Sequence, residues 1–134
     1  NIPIGKACSL MTGSDLTIIT YGAPVHKALE VVKTRDTYSF DLIDLRTLCP
    51  LDKDAIINSV KKTGKAIILQ EDSMFGGLAS EISSIIMENC FEYLDAPVIR
   101  VASLDTPIPF EKSLEDQYLP YDRFEIELDK LLNY

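Results

Sequence analysis

Chemically reactive side chains are few in this sequence of 134 residues. The single histidine, His26, follows a predicted strand and turn, so we expect it near the carboxyl edge of a sheet, where α/β binding sites gather. No carboxylate at a recognisable spacing orients its imidazole, and a surface position is the simpler interpretation. A nucleophile that pairs His26 with Cys49 or Cys8 needs a proximity that the spacing does not indicate, and ordinary core thiols fit better. The residues therefore predict no catalytic group.

Motifs that hold metals or phosphates are also absent from the sequence. One histidine and no C-x-x-C pair give zinc little support. Gly64-Lys65 is similar to the end of a P-loop, but Ser59 stands where the loop's first glycine belongs. Ala66 follows the lysine where Ser or Thr is required, so we interpret Gly64 as a helix stop. No metal-binding or cofactor-binding residue is predicted.

The elements that must position any site follow from the hydrophobic pattern. A β-branched run predicts a strand at residues 16–21, and further short apolar runs predict strands at residues 40–45, 65–70 and 97–102. Apolar positions at helical spacing predict helices from Pro24, from the cap Asp52 to Gly64, over residues 78–89 and over residues 124–132. Prolines between residues 107 and 120 indicate irregular structure. This alternation predicts one α/β domain over residues 1–134, with a mostly parallel sheet and helices on both faces.

Charge and composition exclude several classes of protein. The net charge of −8 disfavours a nucleic-acid partner, and no apolar run approaches the roughly 20 residues of a membrane span. The odd number of cysteines, three, indicates reduced thiols and a cytoplasmic protein. The start at Asn1 without a signal-peptide pattern leads us to expect a fragment excised from a longer chain.

The acidity belongs to the second half of the chain. Residues 1–70 hold nine basic and seven acidic side chains, whereas residues 71–134 hold four and fourteen. A solubilising surface is one interpretation of this imbalance. A docking face for a basic partner is the other, because complementary charge raises the rate of encounter.

Four motifs occur in the order seen in a known family: DLTIITYG at 15–22, DLIDLRTLCPLD at 41–52, SVKKTGK at 59–65, and LDAP at 94–97 with Arg100-Val101 after it. In these motifs the chain closely resembles the C-terminal domain of the β subunit of 2-oxoacid dehydrogenases, the decarboxylating components of the pyruvate and branched-chain complexes. The resemblance covers nearly the whole chain, and LLNY at 131–134 looks like the family's natural C-terminus.

The resemblance implies a transketolase C-terminal-type fold: three α/β/α layers around a five-stranded mixed sheet in which one strand opposes the others. It also implies a parent oxidoreductase that decarboxylates a 2-oxoacid on thiamine diphosphate and Mg²⁺ and reductively acylates the lipoyl group of the acyltransferase component. The family holds this cofactor in other domains, so none is expected to bind here. The family's catalytic histidine lies in the preceding domain, and His26 does not inherit its role.

The resemblance implies that the role of this domain is to bind partners. It implies a homodimer through the domain, contact with an α subunit or α region, and docking of the basic subunit-binding domain of the acyltransferase component. Asp95 corresponds to the acidic residue of the family's docking site, and the terminal carboxylate on Tyr134 takes part as well. Without the resemblance, Asp95 is interpreted as a turn residue before Ala-Pro.

Several alternatives stay open. The amino-acid sequence of the second half of the chain resembles branched-chain (2-oxoisovalerate) dehydrogenase more than the pyruvate enzyme. Transketolase and deoxyxylulose-phosphate synthase share the implied fold. A stand-alone domain that binds a small ligand would use Gly76-Gly77, since backbone N–H groups at a helix start attract anions, although two acidic residues lie just upstream.

Overall fold

The computed structural model describes residues 4–46, 48, 50–73, 77–103 and 121–134, with only the backbone of Asp72, Ser73, Ser103 and Tyr121. The strands are β1 (Cys8–Met11), β2 (Leu16–Thr20), β3 (Phe40–Asp44), β4 (Ala66–Ser73) and β5 (Ile99–Ser103). The helices are α1 (Pro24–Lys33), α2 (Lys53–Thr63), α3 (Leu78–Cys90) and α4 (Tyr121–Leu132), with a short 3₁₀ turn at Phe91–Tyr93.

The five strands form one mixed sheet in the order β1-β3-β2-β4-β5. β1 is antiparallel to β3, whereas the other neighbours are parallel. The register places Ile18 of β2 beside Leu42 on one side and beside Ile67 on the other. The α/β class, the mostly parallel sheet and the single opposing strand are therefore confirmed.

Two hydrophobic cores cover the two faces of the sheet. Successive side chains of a strand point to opposite faces, so Ile18 joins the core under α1 and α4 while Ile19 joins the core under α2 and α3. β2 is buried along its whole length for this reason, as expected for a parallel strand between two helical layers. The result is the predicted three-layer α/β/α arrangement.

The ends of α2 follow from residue type. Asp52 caps the N-terminus, since its carboxylate accepts a hydrogen bond from the Ala55 amide at 3.2 Å. Gly64 ends the helix in the left-handed conformation at φ 76°, which a glycine adopts without steric cost. Both positions confirm the sequence prediction.

Some boundaries differ from the prediction. β1 was not predicted from hydrophobicity because it is a short edge strand with no fully buried residue. β5 begins at Ile99, after Pro97, whose missing N–H cannot donate to a strand ladder. Cys49 and the proline-rich segment 107–120 lie outside the described residues. Within the described ranges, no helix is long and apolar enough to cross a membrane.

Candidate docking surface

Asp95 lies in an exposed turn that is held against the end of α2. Its backbone N–H donates a hydrogen bond to the Gly64 carbonyl at 2.8 Å, while its side chain stays at the surface. Among the described residues, no lysine or arginine forms an ion pair with this carboxylate, and no side-chain hydrogen bond engages it. The backbone of Asp95 is therefore fixed, and its negative charge is open to solvent.

Gly64 makes the close approach of this turn possible. Its N–H closes α2 on the Val60 carbonyl at 2.8 Å. A Cβ atom at this position would overlap Asp95 Oδ2 and lie 3.1 Å from the Tyr93 carbonyl oxygen. Gly64, which was predicted as a helix stop, therefore also leaves the space in which the Asp95 carboxylate lies.

Two exposed aromatic residues precede Asp95. Phe91 is 67% exposed and Tyr93 is 49% exposed, and the Lys61 ammonium lies 5.2 Å from the centre of the Tyr93 ring. Exposed aromatic side chains beside charged groups are typical of protein interfaces. Neither residue was predicted from the sequence. The signal was available, because Phe91 falls outside the apolar stripe by which α3 packs on the sheet.

Tyr134, the second predicted partner residue, is 71% exposed beyond the end of α4. It lines a small apolar cavity of about 180 Å³ together with Pro97, Ile99 and Leu131. Asp95 precedes Pro97 by two residues, a reach of about 7 Å at most. The fold thus brings the two predicted residues to neighbouring parts of one surface, although no hydrogen bond or ion pair among those described joins them. We call Phe91, Tyr93, Asp95 and Tyr134 the candidate docking surface, or docking surface for short.

His26 lies where the sequence placed it, exposed near the carboxyl edge of the sheet. It borders an open cavity of about 440 Å³ with Asp44 and Arg46. These two residues pair with each other, with Arg46 Nε 3.1 Å from Asp44 Oδ2. The described contacts give His26 no orienting carboxylate, and the cavity's described lining contains no cysteine. This geometry offers no nucleophile and no relay for acid–base catalysis.

The start of α3 has one of its first N–H groups already engaged, so it offers fewer donors to an anion. The buried side chain of Gln70 accepts a hydrogen bond from the Ala79 amide at 2.7 Å, which satisfies one of the helix's first N–H groups. Gly77 is the N-cap residue, and Gly76 lies outside the described residues. Sequence reasoning could not find the Gln70 contact, because it depends on the end of β4 facing the start of α3.

Metal ligands are not clustered in the residues that the structure describes: no group of three or more His, Cys, Asp or Glu side chains could hold an ion there. Those residues do not fit a bound Mg²⁺.

The fold and its surface define a three-layer α/β domain with an exposed acidic and aromatic face. The chain belongs to the family described as transketolase, C-terminal domain, which it matches over residues 5–123.

Curated relatives carry the names of two enzymes. The chain is 43% identical over 135 residues to "Pyruvate dehydrogenase E1 component subunit beta" of Rickettsia felis, covering 99% of this chain and 41% of that protein. It is also 43% identical over 121 residues to "2-oxoisovalerate dehydrogenase subunit beta" of Bacillus subtilis, covering 88% and 37%. The chain therefore spans about two fifths of the length of these relatives.

A solved structure supports the same fold. The chain "Split gene transketolase, inactive beta4 tetramer" superposes with a TM-score of 0.81 at 27% identity, covering 98% of this chain and 43% of the other. The predicted transketolase C-terminal fold is thereby confirmed.

Proposed function

We propose that this chain is the C-terminal assembly and docking domain of the decarboxylating component of a 2-oxoacid dehydrogenase. Family membership and the two named relatives support this proposal. Its parent is then an oxidoreductase that acts on a 2-oxoacid and uses thiamine diphosphate and Mg²⁺ held by other domains. This domain contributes contacts: a homodimer interface, contact with the α subunit or α region, and a docking site for the acyltransferase component.

The substrate of the parent is proposed only as a 2-oxoacid. The identity is 43% to a pyruvate dehydrogenase subunit and 43% to a 2-oxoisovalerate dehydrogenase subunit, so the comparisons favour neither enzyme. The preference for a branched-chain substrate stays a prediction that rests on the amino-acid sequence of the second half of the chain. Turnover of the full-length enzyme with pyruvate and with 2-oxoisovalerate tests it directly: faster turnover of pyruvate would contradict it.

The exposed carboxylate of Asp95 carries the docking proposal. Its backbone is fixed by the hydrogen bond to Gly64, yet the described residues supply its charge with no cation. A carboxylate of this kind accepts charge-assisted hydrogen bonds from an arginine or lysine of a partner. Phe91 and Tyr93 beside it offer apolar area that excludes water when a partner docks. A small basic domain fits this combination.

Titration calorimetry with the basic subunit-binding domain of the acyltransferase component tests the docking role. We expect binding that weakens with salt, because exposed charges are screened. Asp95→Asn should weaken binding by about 30-fold, which corresponds to roughly 2 kcal/mol for one partner of a pair that docking desolvates. Removal of Tyr134 should weaken binding as well.

Asp54→Asn is the matched control. Asp54 is exposed on the same helix that Gly64 ends, and its replacement changes the net charge equally. It lies ten residues before Gly64, about 15 Å along the helix axis. Binding by this variant should equal that of the unmodified chain. The dimer state is measured by sedimentation in the same sample, and absence of binding by a confirmed dimer would overturn the docking role.

A further inference from the structure

We infer that Gly64 is a positioning residue of the docking surface, which acts on a basic partner through Asp95. This inference rests on the docking role proposed above and adds a residue to it. Gly64 has no side chain with which to contact a partner. Its effect on binding must therefore pass through the turn at residues 93–95.

One backbone hydrogen bond ties that turn to the end of α2, and a second closes the turn on itself. The Gly64 carbonyl accepts the Asp95 N–H at 2.8 Å, and the Leu94 N–H closes the 3₁₀ turn on the Phe91 carbonyl at 3.3 Å. The left-handed conformation of Gly64 aims its carbonyl at Asp95 while α2 ends on the Val60 carbonyl. The backbone of Asp95 is thus held by the residue that caps the end of α2.

The space that a Cβ atom of residue 64 would enter is occupied by the Asp95 carboxylate. A Cβ atom there would overlap Oδ2 and would lie 3.2 Å from Cγ of the same residue. Any other residue at position 64 must therefore move the Asp95 side chain, even if its backbone adopts the same conformation.

Electrostatics at this point favour an incoming cation. The C-terminus of a helix carries partial negative charge from its free carbonyl groups. Lys62, in the last turn, is paired with Asp41 at 3.1 Å. The Lys61 ammonium lies over the Tyr93 ring and keeps its positive charge. A lysine or arginine that reaches Asp95 therefore meets both the carboxylate and the helix end, against the repulsion of Lys61. Displacement of Asp95 would separate the two.

Gly22 provides a matched control within the same chain. It is also left-handed, at φ 71° against 76° for Gly64, but a Cβ atom at Gly22 would meet nothing within 4 Å. Gly22→Ala and Gly64→Ala therefore impose the same backbone strain, and only the second displaces a neighbour.

The experiment measures binding of the basic subunit-binding domain by calorimetry. It also records the chemical shift of the Asp95 amide in ¹H–¹⁵N correlation spectra. Gly64→Ala should weaken binding at least tenfold and shift the Asp95 amide resonance. Gly22→Ala should leave binding within twofold and that resonance unchanged, at a similar loss of thermal stability. In an Asp95→Ala background, Gly64→Ala should cause no further loss of affinity.

A second pair of variants allows the same test if Gly64→Ala does not fold. Asparagine tolerates the left-handed conformation better than alanine but carries the same Cβ atom. Gly64→Asn with Gly22→Asn as its control should repeat the pattern if Gly64→Ala does not fold.

The outcomes separate the two proposals. Normal affinity in the Gly64 variants, with weak binding by Asp95→Asn, would overturn the role of Gly64 and leave the docking role standing. A further loss of affinity from Gly64→Ala in the Asp95→Ala background would overturn action through Asp95. If the unmodified dimer does not bind the basic domain at all, the docking role fails and this inference fails with it. A shifted Asp95 amide would then establish only that Gly64 holds the turn.

Discussion

The carboxylate of Asp41 on β3 lies 3.1 Å from the ammonium of Lys62 on α2, at the floor of a cavity of about 320 Å³. Asp41 is 6% exposed. It also accepts hydrogen bonds from the Ser59 hydroxyl and from the Gly13 amide. Ser59 and Lys62, which line this cavity, are thus both engaged with the carboxylate, and the cluster ties α2 to the sheet.

Replacement of Asp41 by alanine should destabilise the fold. It leaves the Ser59 hydroxyl and the Gly13 amide without this acceptor and Lys62 without its counter-ion. We expect a loss of about 3 kcal/mol in the free energy of unfolding, measured by urea denaturation. Lys62→Met should cost about 1 kcal/mol, because the lysine side chain is 44% exposed and Asp41 keeps its other two donors. A larger loss for Lys62→Met than for Asp41→Ala would contradict this account.

Local residue chemistry made much of the fold predictable. The cap Asp52 and the stop Gly64 fix α2 by their own conformational preferences, and every residue of β2 after Leu16 is β-branched. The Asp41 cluster was not predictable, because it depends on which strand α2 packs against. The same holds for Asp95: its type indicates a turn, and only the fold shows that the turn rests on Gly64. Contacts between distant residues follow from register and packing, which hydrophobic patterns do not specify.

The start of α3 should not bind phosphate. The buried Gln70 already satisfies the Ala79 amide, so an anion gains fewer donors there. We expect no increase in melting temperature when inorganic phosphate or a nucleotide is added. A bound ligand at 100 times its dissociation constant would add about 2.7 kcal/mol, which thermal unfolding detects easily. Such a shift would support the alternative of a stand-alone ligand-binding domain.

The ion pair between Arg35 and Asp129 should make stability depend on pH. Arg35 donates to both carboxylate oxygens of Asp129, at 3.0 and 2.8 Å, and joins the end of α1 to α4. The hydrogen bond from Arg35 lowers the pKa of Asp129, against the opposing effect of desolvation. A lowered pKa in the folded state means that the stabilisation is present above the unfolded value of about 3.9 and is lost as pH falls below it.

Asp129→Asn should therefore cost more stability at pH 7 than at pH 3. The Asp129 side chain is 51% exposed, so solvent screening limits the loss at pH 7 to about 1 kcal/mol. Urea denaturation at both pH values measures the difference. Glu30→Gln is the control, because its ion pair with Lys27 is exposed and longer, at 3.9 Å, and should contribute less. An equal loss at pH 7 and pH 3 would show that Asp129 acts by packing alone.

Cys90 should resist alkylation in the folded protein. It has no exposed surface, and its thiol lies 3.6 Å from the Ile57 carbonyl oxygen. Burial raises the pKa of this thiol, and the charge of Lys61 opposes the rise. Because the thiolate is the reactive form, both burial and the raised pKa slow the reaction. At pH 8, iodoacetamide should label the half-buried Cys8 at least tenfold faster, as read from peptide masses.

The same measurement reports on the docking surface, because Cys90 immediately precedes the turn at Phe91–Tyr93. Slow labelling means that the base of this turn stays packed against α2, as the proposed role of Gly64 requires. Labelling in urea should remove the difference between the two thiols. Equal rates under native conditions would instead show that the end of α3 opens readily, and Asp95 would then lack the fixed backbone on which docking depends.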